Sequence, residues 1–132
     1  MSVAMKQYAQ YGAQGAVQDA TPHRLIQMLY HGALDRMTEA KGAMSRGDCE
    51  QKGRLIGKAI AIVGGLRDAL DQEGADIAKN LDALYGYLAG RLLEASFGND
   101  EALLEECIGL LAPVSDAWDQ IEGLVEKSAA NF

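Results

Sequence analysis

The chain has 132 residues, 48% of them apolar and 6% aromatic, with a formal net charge of −7 at neutral pH. That length fits one domain with a real core, and the negative balance argues against nucleic-acid phosphates or an anionic membrane as partners. The sequence holds no run of about 18 apolar residues to span or insert into a bilayer and no signal-peptide-like apolar stretch in its first twenty residues, so the expectation is a cytosolic protein.

Ala and Leu dominate the apolar set and prolines are scarce, which favours helix. Residues 1–19 are rich in Gln, Ala and Gly, with Tyr8 and Tyr11 as their only large aromatics. Gly12 and Gly15 weaken any helix there, so the segment reads as a short N-terminal arm or cap. The bundle proper is expected over 20–127. Thr21 and Pro22 open its first helix, Thr as a cap and Pro at a position where its missing N–H costs nothing. Leu25, Leu29, Ala33, Met37, Ala40 and Met44 recur at helical spacing. Arg46-Gly47-Asp48 ends it: Gly47 accepts positive φ, and Asp48 caps the next helix. The same tripeptide spells an integrin ligand, but without an export signal it reads as a turn.

The second helix is predicted from Cys49 to about Gln72. Its apolar residues, from Leu55 and Ile56 to Leu66 and Leu70, cover an arc of about 160°, where one neighbour needs about 100°. Either it packs against two neighbours or part of its face is a groove. Gly64-Gly65 inside it fits a close helix approach or a groove floor. Residues 73–76 form a turn. The third helix carries Ile77, Leu81, Leu84, Tyr85, Leu88, Leu92 and Ala95 on one face, with Tyr87 half-exposed beside them. Phe97-Gly98-Asn99-Asp100 is the last turn, with Asp100 as cap. The fourth helix carries Leu103, Cys107, Leu110, Leu111, Val114, Trp118, Ile121 and Val125, and Pro113 predicts a kink or short break near Gly109–Pro113. Residues 128–132 are expected to fray. Cys49 and Cys107 are both expected to be buried free thiols. Short turns between long helices give an all-α, antiparallel, up-and-down four-helix bundle.

Catalytic constellations are missing from the sequence. His23 and His31 lack the Glu three residues earlier that a carboxylate-bridged metal bundle requires, and both read as exposed or capping residues on the polar side of the first helix. No phosphate loop, nucleophile elbow or dinucleotide fingerprint occurs. The reading is therefore a protein with no catalytic residues, no metal and no cofactor. From Glu94 onward nine acidic residues face one basic residue, Lys127, which reads as a solvated helix face.

Residues 17–34, Val-Gln-Asp-Ala-Thr-Pro-His-Arg-Leu-Ile-Gln-Met-Leu-Tyr-His-Gly-Ala-Leu, resemble the signature of the flagellar export chaperone FliS family. Further matches follow in order. They are Ala40 with Gly47-Asp48, Lys58-Ala59-Ile60, Leu66 with Leu70-Asp71, Ile77 through Asn80-Leu81 to Leu84-Tyr85 and Tyr87, Asn99-Asp100, and Trp118. The resemblance implies a cytosolic four-helix bundle, monomeric or homodimeric without its client. It implies binding of the disordered C-terminal segment of flagellin, which prevents premature polymerisation, and delivery to the flagellar type III export gate. An apolar groove for such a client would draw on Ile56, Ile60, Val63, Leu84, Tyr85 and Leu88, each of which also reads as core. The arm with Tyr8 and Tyr11 would cover a groove in the free state. The alternative is a helical structural module that self-associates through the same apolar face.

Overall fold

The computed structural model describes residues 21–70 and 76–130, with side chains described as far as Ile121. Four helices follow in order: α1 (Pro22–Ser45), α2 (Cys49–Asp68), α3 (Asp76–Gly98) and α4 (Glu101–Ala130). No strand occurs among the described residues. The expectations for the Tyr8/Tyr11 arm and for the 73–75 part of the second turn lie outside the described residues. Of the 128–132 tail, 131–132 lie outside the described residues, and 128–130 are described only as the backbone of the last turn of α4.

Local chemistry sets each boundary. Thr21 is extended and its hydroxyl accepts from the Arg24 N–H at 3.1 Å, with Pro22 beginning the helix. At the other end of α1, Gly47 sits at φ 71°. Its N–H reaches the Met44 carbonyl at 3.1 Å and the Asp48 N–H reaches Ala43 at 2.9 Å, so the last carbonyls are satisfied within a three-residue turn. Asp48 then caps α2 through the Gln51 N–H at 3.1 Å. α2 ends four residues before the expected Gln72, in a tightened turn where the Leu70 N–H bonds the Arg67 carbonyl at 3.2 Å. α3 closes the same way as α1, with Asn99 instead of a glycine in the left-handed region at φ 50°. The Asp100 N–H bonds the Ala95 carbonyl at 3.0 Å, and Asp100 caps α4 through the Leu103 N–H at 3.3 Å.

The buried Lys52 completes the α3 terminus. Its amine donates to the Ser96 carbonyl at 3.0 Å and to Asn99 Oδ1 at 3.2 Å. A cation at a helix C-terminus also meets the negative end of the helix dipole.

α1 packs on α2 and α4, and α3 packs on the same two helices, so the helices form a closed ring of antiparallel neighbours. The core is made of Leu25, Leu29, Ala33, Met37 and Ala40 from α1 with Leu55, Ile56, Ala59, Val63 and Leu66 from α2. Tyr85, Leu88, Leu92 and Ala95 from α3 and Leu104, Cys107 and Leu111 from α4 complete it. The wide arc of α2 is thus explained by two neighbours. Small residues on α1 let α2 approach it closely, and this pairing is the most extensive in the bundle.

Three expectations need correction. Cys49 is exposed. It lies seven residues before Ile56, on the core side of α2, but it is the first helical residue, beyond the end of the packed layers. Of the kink or short break expected near Pro113, the break is absent: α4 runs through the proline. Pro113 and Gly109 are both exposed, so the ring meets water instead of a neighbouring helix. His23 is not a polar-side residue: its ring stacks on Trp118 at 4.5 Å and 9°, and its carbonyl accepts from the Trp118 indole at 3.0 Å.

Candidate functional site

The described residues hold no group of metal-binding side chains, and none of their helices is long and apolar enough to cross a membrane. Burial pushes the Cys107 thiol up to about 11, which leaves it protonated and unreactive at neutral pH. The surface that stands out is apolar, and it lies on the two flanks of α3.

The first flank faces α4. Tyr87 donates to Glu106 Oε1 at 2.8 Å, and Arg91 bonds the same carboxylate at 3.1 Å while lying over the Tyr87 ring. The hydrogen bond from Arg91, then that from Tyr87, holds the Glu106 carboxyl below its ordinary value, and the same bond raises the Tyr87 hydroxyl. These contacts fix which side of each helix meets the other. Leu84 lies three residues before Tyr87 and Ile77 seven before Leu84, so both share the α4-facing side. On α4, Leu110, Val114 and Ile121 follow Glu106 at the same helical spacing. Yet Ile77 is 65% exposed, and Tyr87, Leu110 and Ile121 are exposed too. Apolar side chains that point toward a neighbouring helix and still reach solvent mark an open seam. The α3–α4 pairing is accordingly the thinnest of the four.

The second flank faces α2. Arg67 bonds Asp82 at 2.5 Å and spreads its guanidinium over Gly86, 3.3 Å from where a Cβ would sit. Ile60 lies seven residues before Arg67 on the same side of α2, among Gly53, Gly57 and Gly64. A Cβ at any of these three glycines, or at Gly90 on α3, would meet nothing within 4 Å. Leu93 and Phe97 continue this side of α3, both exposed, Phe97 at 85%.

Of the six groove candidates, Ile56, Val63, Tyr85 and Leu88 are buried together in the core of this free chain. Ile60 and Leu84 are half-buried and packed against that core from outside. They do not meet: Ile60 borders the α2 flank and Leu84 the α4 flank. Tyr85 is held inside by a 2.5 Å hydrogen bond between its hydroxyl and that of Tyr30. Burial raises both phenols, so neither ionises near neutral pH.

Periodicity along the chain does not pick out Ile77, Leu110 and Ile121 as surface. Ile77, Leu110 and Ile121 obey the core pattern, and only the distance between neighbouring helices exposes them. The signal that was available is Leu93 and Phe97, four residues apart and off the core stripe of α3.

Comparison with known proteins bears on this surface. Residues 4–125 match the model of the family described as flagellar protein FliS. The chain is 54% identical over 119 residues to the flagellar secretion chaperone FliSB of Pseudomonas aeruginosa, covering 89% of this chain and 94% of that protein. It is 44% identical over 119 residues to the flagellar secretion chaperone FliS of Salmonella typhimurium, covering 89% and 88%. It is 34% identical over 107 residues to the flagellar secretion chaperone FliS of Bacillus subtilis, covering 81% and 80%.

Proposed function

The chain belongs to the FliS family of flagellar proteins, and from that premise we propose that it is a cytosolic secretion chaperone whose client is flagellin. It captures the disordered C-terminal segment of flagellin, keeps it from polymerising early and hands it to the flagellar type III export gate. The observation that carries this reading is the pair of apolar flanks on α3. A disordered segment gives up chain entropy when it binds and needs a long apolar contact to compensate. Two flanks on one helix supply more length than one groove.

Ile60 and Leu84 form the edges of these flanks. Ile56, Val63, Tyr85 and Leu88 back them from the core, where they hold the helices at fixed spacing. Docked helical pieces of the client would meet the flanks through anchors at i, i+3, i+4 and i+7. Capture is stoichiometric and needs no nucleotide: it proceeds by mass action on the unfolded segment. The arm with Tyr8 and Tyr11 covers an apolar flank in the client-free chain. Deleting residues 1–15 is then expected to tighten client binding; weaker binding would make the arm a direct contact instead.

The test is calorimetric titration of the full chain with a peptide spanning the C-terminal segment of flagellin, at several temperatures. A 1:1 complex with a large negative heat-capacity change is expected. No binding at tens of micromolar would overturn the reading. The exposed Phe97 and Leu93 also fit self-association of a structural module. Size-exclusion chromatography separates the two, since that alternative requires a large oligomer as the main client-free species.

A further inference from the structure

The outer face of α3 has a repeat of its own. Lys79, Ala83, Gly86, Gly90, Leu93 and Phe97 follow one another at alternating spacings of four and three residues, off the core stripe. That is the spacing by which one helix seats another along a seam. Yet the line stays outside the contacts of α3 with α2 and α4: Gly86 is half-buried beside Arg67, and the other five are exposed. Bulk is unevenly divided along it. Ala83, Gly86 and Gly90 are small, whereas Leu93 and Phe97 are large, Phe97 at 85% exposure. A Cβ at Gly90, or at Gly57 and Gly64 on the adjoining side of α2, would meet nothing within 4 Å. One half of the face is therefore a shallow depression, and the other half carries two knobs. Charge is divided too. The bonds from Lys52 to the Ser96 carbonyl and from Arg67 to Asp82 set the levels of α2 against α3. They place Glu50 at the Phe97 end of the face, and Arg67 with Lys79 at the other end. Arg54 and Asp68, on the far side of α2, stand in the opposite order.

We propose that two copies of this chain pair through this face as a closed, two-fold dimer that masks the α2 flank until a client arrives. Turned end for end about Gly90, an identical face sets its knobs over the first one's depression. Phe97 then meets the second copy's Ala83, and Leu93 enters the open space over its Gly90. Glu50 comes to the level of the second copy's Lys79 and Arg67, and Arg54 to that of its Asp68. A parallel pairing would instead set Phe97 on Phe97 and Lys79 on Lys79, so size and charge both select the antiparallel two-fold. The face runs about five helical turns, ~27 Å. Two helices wide, it offers on the order of 500 Å² per copy and about 1,000 Å² in all, the low end for specific association. Such a pair forms at about micromolar concentration and yields to a client that covers more surface. Pairing stops at two because each copy spends the whole face, unlike the open association of a structural module. The dimer stands on this chain's own residues; its displacement rests on the flagellin reading and deepens it, by giving that flank a guard.

Sedimentation equilibrium of the full chain without client, up to a few hundred micromolar, is the test. A monomer that passes to a dimer, with nothing larger, is expected. Phe97→Asp and Gly90→Leu are each expected to raise the dimer Kd at least about tenfold, since every residue acts twice in a two-fold contact. Gly90→Leu also separates lost pairing from lost folding. Leucine favours helix over glycine, so the thermal midpoint of that variant is expected to rise while its pairing falls. Glu50→Lys is expected to weaken the dimer, and Glu50→Lys/Lys79→Glu to recover it. A parent chain that stays monomeric throughout, or Phe97→Asp and Gly90→Leu variants that pair as tightly as the parent, would overturn the proposal. A double charge variant weaker than Glu50→Lys alone would refute the antiparallel register. Addition of the flagellin C-terminal peptide is then expected to split the dimer into 1:1 complexes. Peptide bound to an intact dimer would show that the pairing masks nothing. If the peptide does not bind at all, the flagellin reading fails, and a dimer that answers to Phe97 and Gly90 still stands.

Discussion

The Tyr30–Tyr85 hydroxyl pair is a polar contact sealed inside an apolar core, so each partner protects the other from being buried alone. Tyr85→Phe strands the Tyr30 hydroxyl and is expected to cost about 1–3 kcal/mol, whereas the double variant Tyr30→Phe/Tyr85→Phe regains most of that loss. Chemical denaturation of the three variants measures the coupling. Asp119 makes a different kind of contact, bonding Gln27 at 2.7 Å and His31 at 3.0 Å across the α1–α4 seam. Burial raises its carboxyl, but the Gln27 and His31 bonds outweigh that and hold it below the ordinary value of 3.8. The folded chain therefore takes up this proton less readily than the unfolded chain. Its contribution is complete above about pH 4 and fades as pH falls through the depressed folded value. Asp119→Asn is expected to flatten the acid limb of a stability-against-pH curve and to leave its shape above about pH 5 unchanged. Of Tyr30 and Tyr85, the second is legible in the sequence as a core position. Their hydroxyl bond is not, because it joins residues 55 apart whose heights in the bundle depend on packing.

Helix ends were the most legible feature, since a cap is written within four residues. Thr21-Pro22, Gly47-Asp48 and Asp100 all act as their side-chain chemistry dictates. Thr21→Ala is expected to cost about 1 kcal/mol by loss of the Arg24 contact. Gly47→Ala should cost a similar amount, about 1 kcal/mol, because an L side chain strains the left-handed backbone there. Urea denaturation midpoints of the full chain check both. Where the sequence misled, a local rule met a tertiary circumstance. Pro113 disfavours helix in isolation, but its position on the solvent side lets α4 continue. Cys49 has the helical phase of a core residue and the position of a terminus. Helical phase alone puts His23 on the polar side of α1, and phase cannot register an indole arriving from 95 residues away. Lys52 escaped for the same reason: nothing near it in sequence announces that its amine closes the end of α3.

At the scale of the bundle, the ring of four antiparallel helices follows from apolar periodicity and short turns. The open seam does not, because Leu110 and Ile121 have the spacing of core residues and differ from them only in how far α3 stands from α4. The same inequality should appear in dynamics. Backbone amides in the first half of α3 and the second half of α4 are expected to exchange with solvent faster than those of α1 and α2, and to slow when the client peptide binds. Hydrogen–deuterium exchange with and without peptide measures this. The position of α3 between its two flanks has one more consequence. A single client chain that lies on both sides of it is tethered: once one part is seated, the other is confined near its own site at a high effective concentration. Affinity is then an avidity, and the bound state is lost only when both contacts are open at once. Leu84→Asp on one flank, or Leu93→Asp on the other, turns a two-point complex into a one-point complex, and each is expected to lower affinity about a hundredfold. The chaperone could thus hold its cargo for long periods yet release it quickly to any acceptor that pries away a single end.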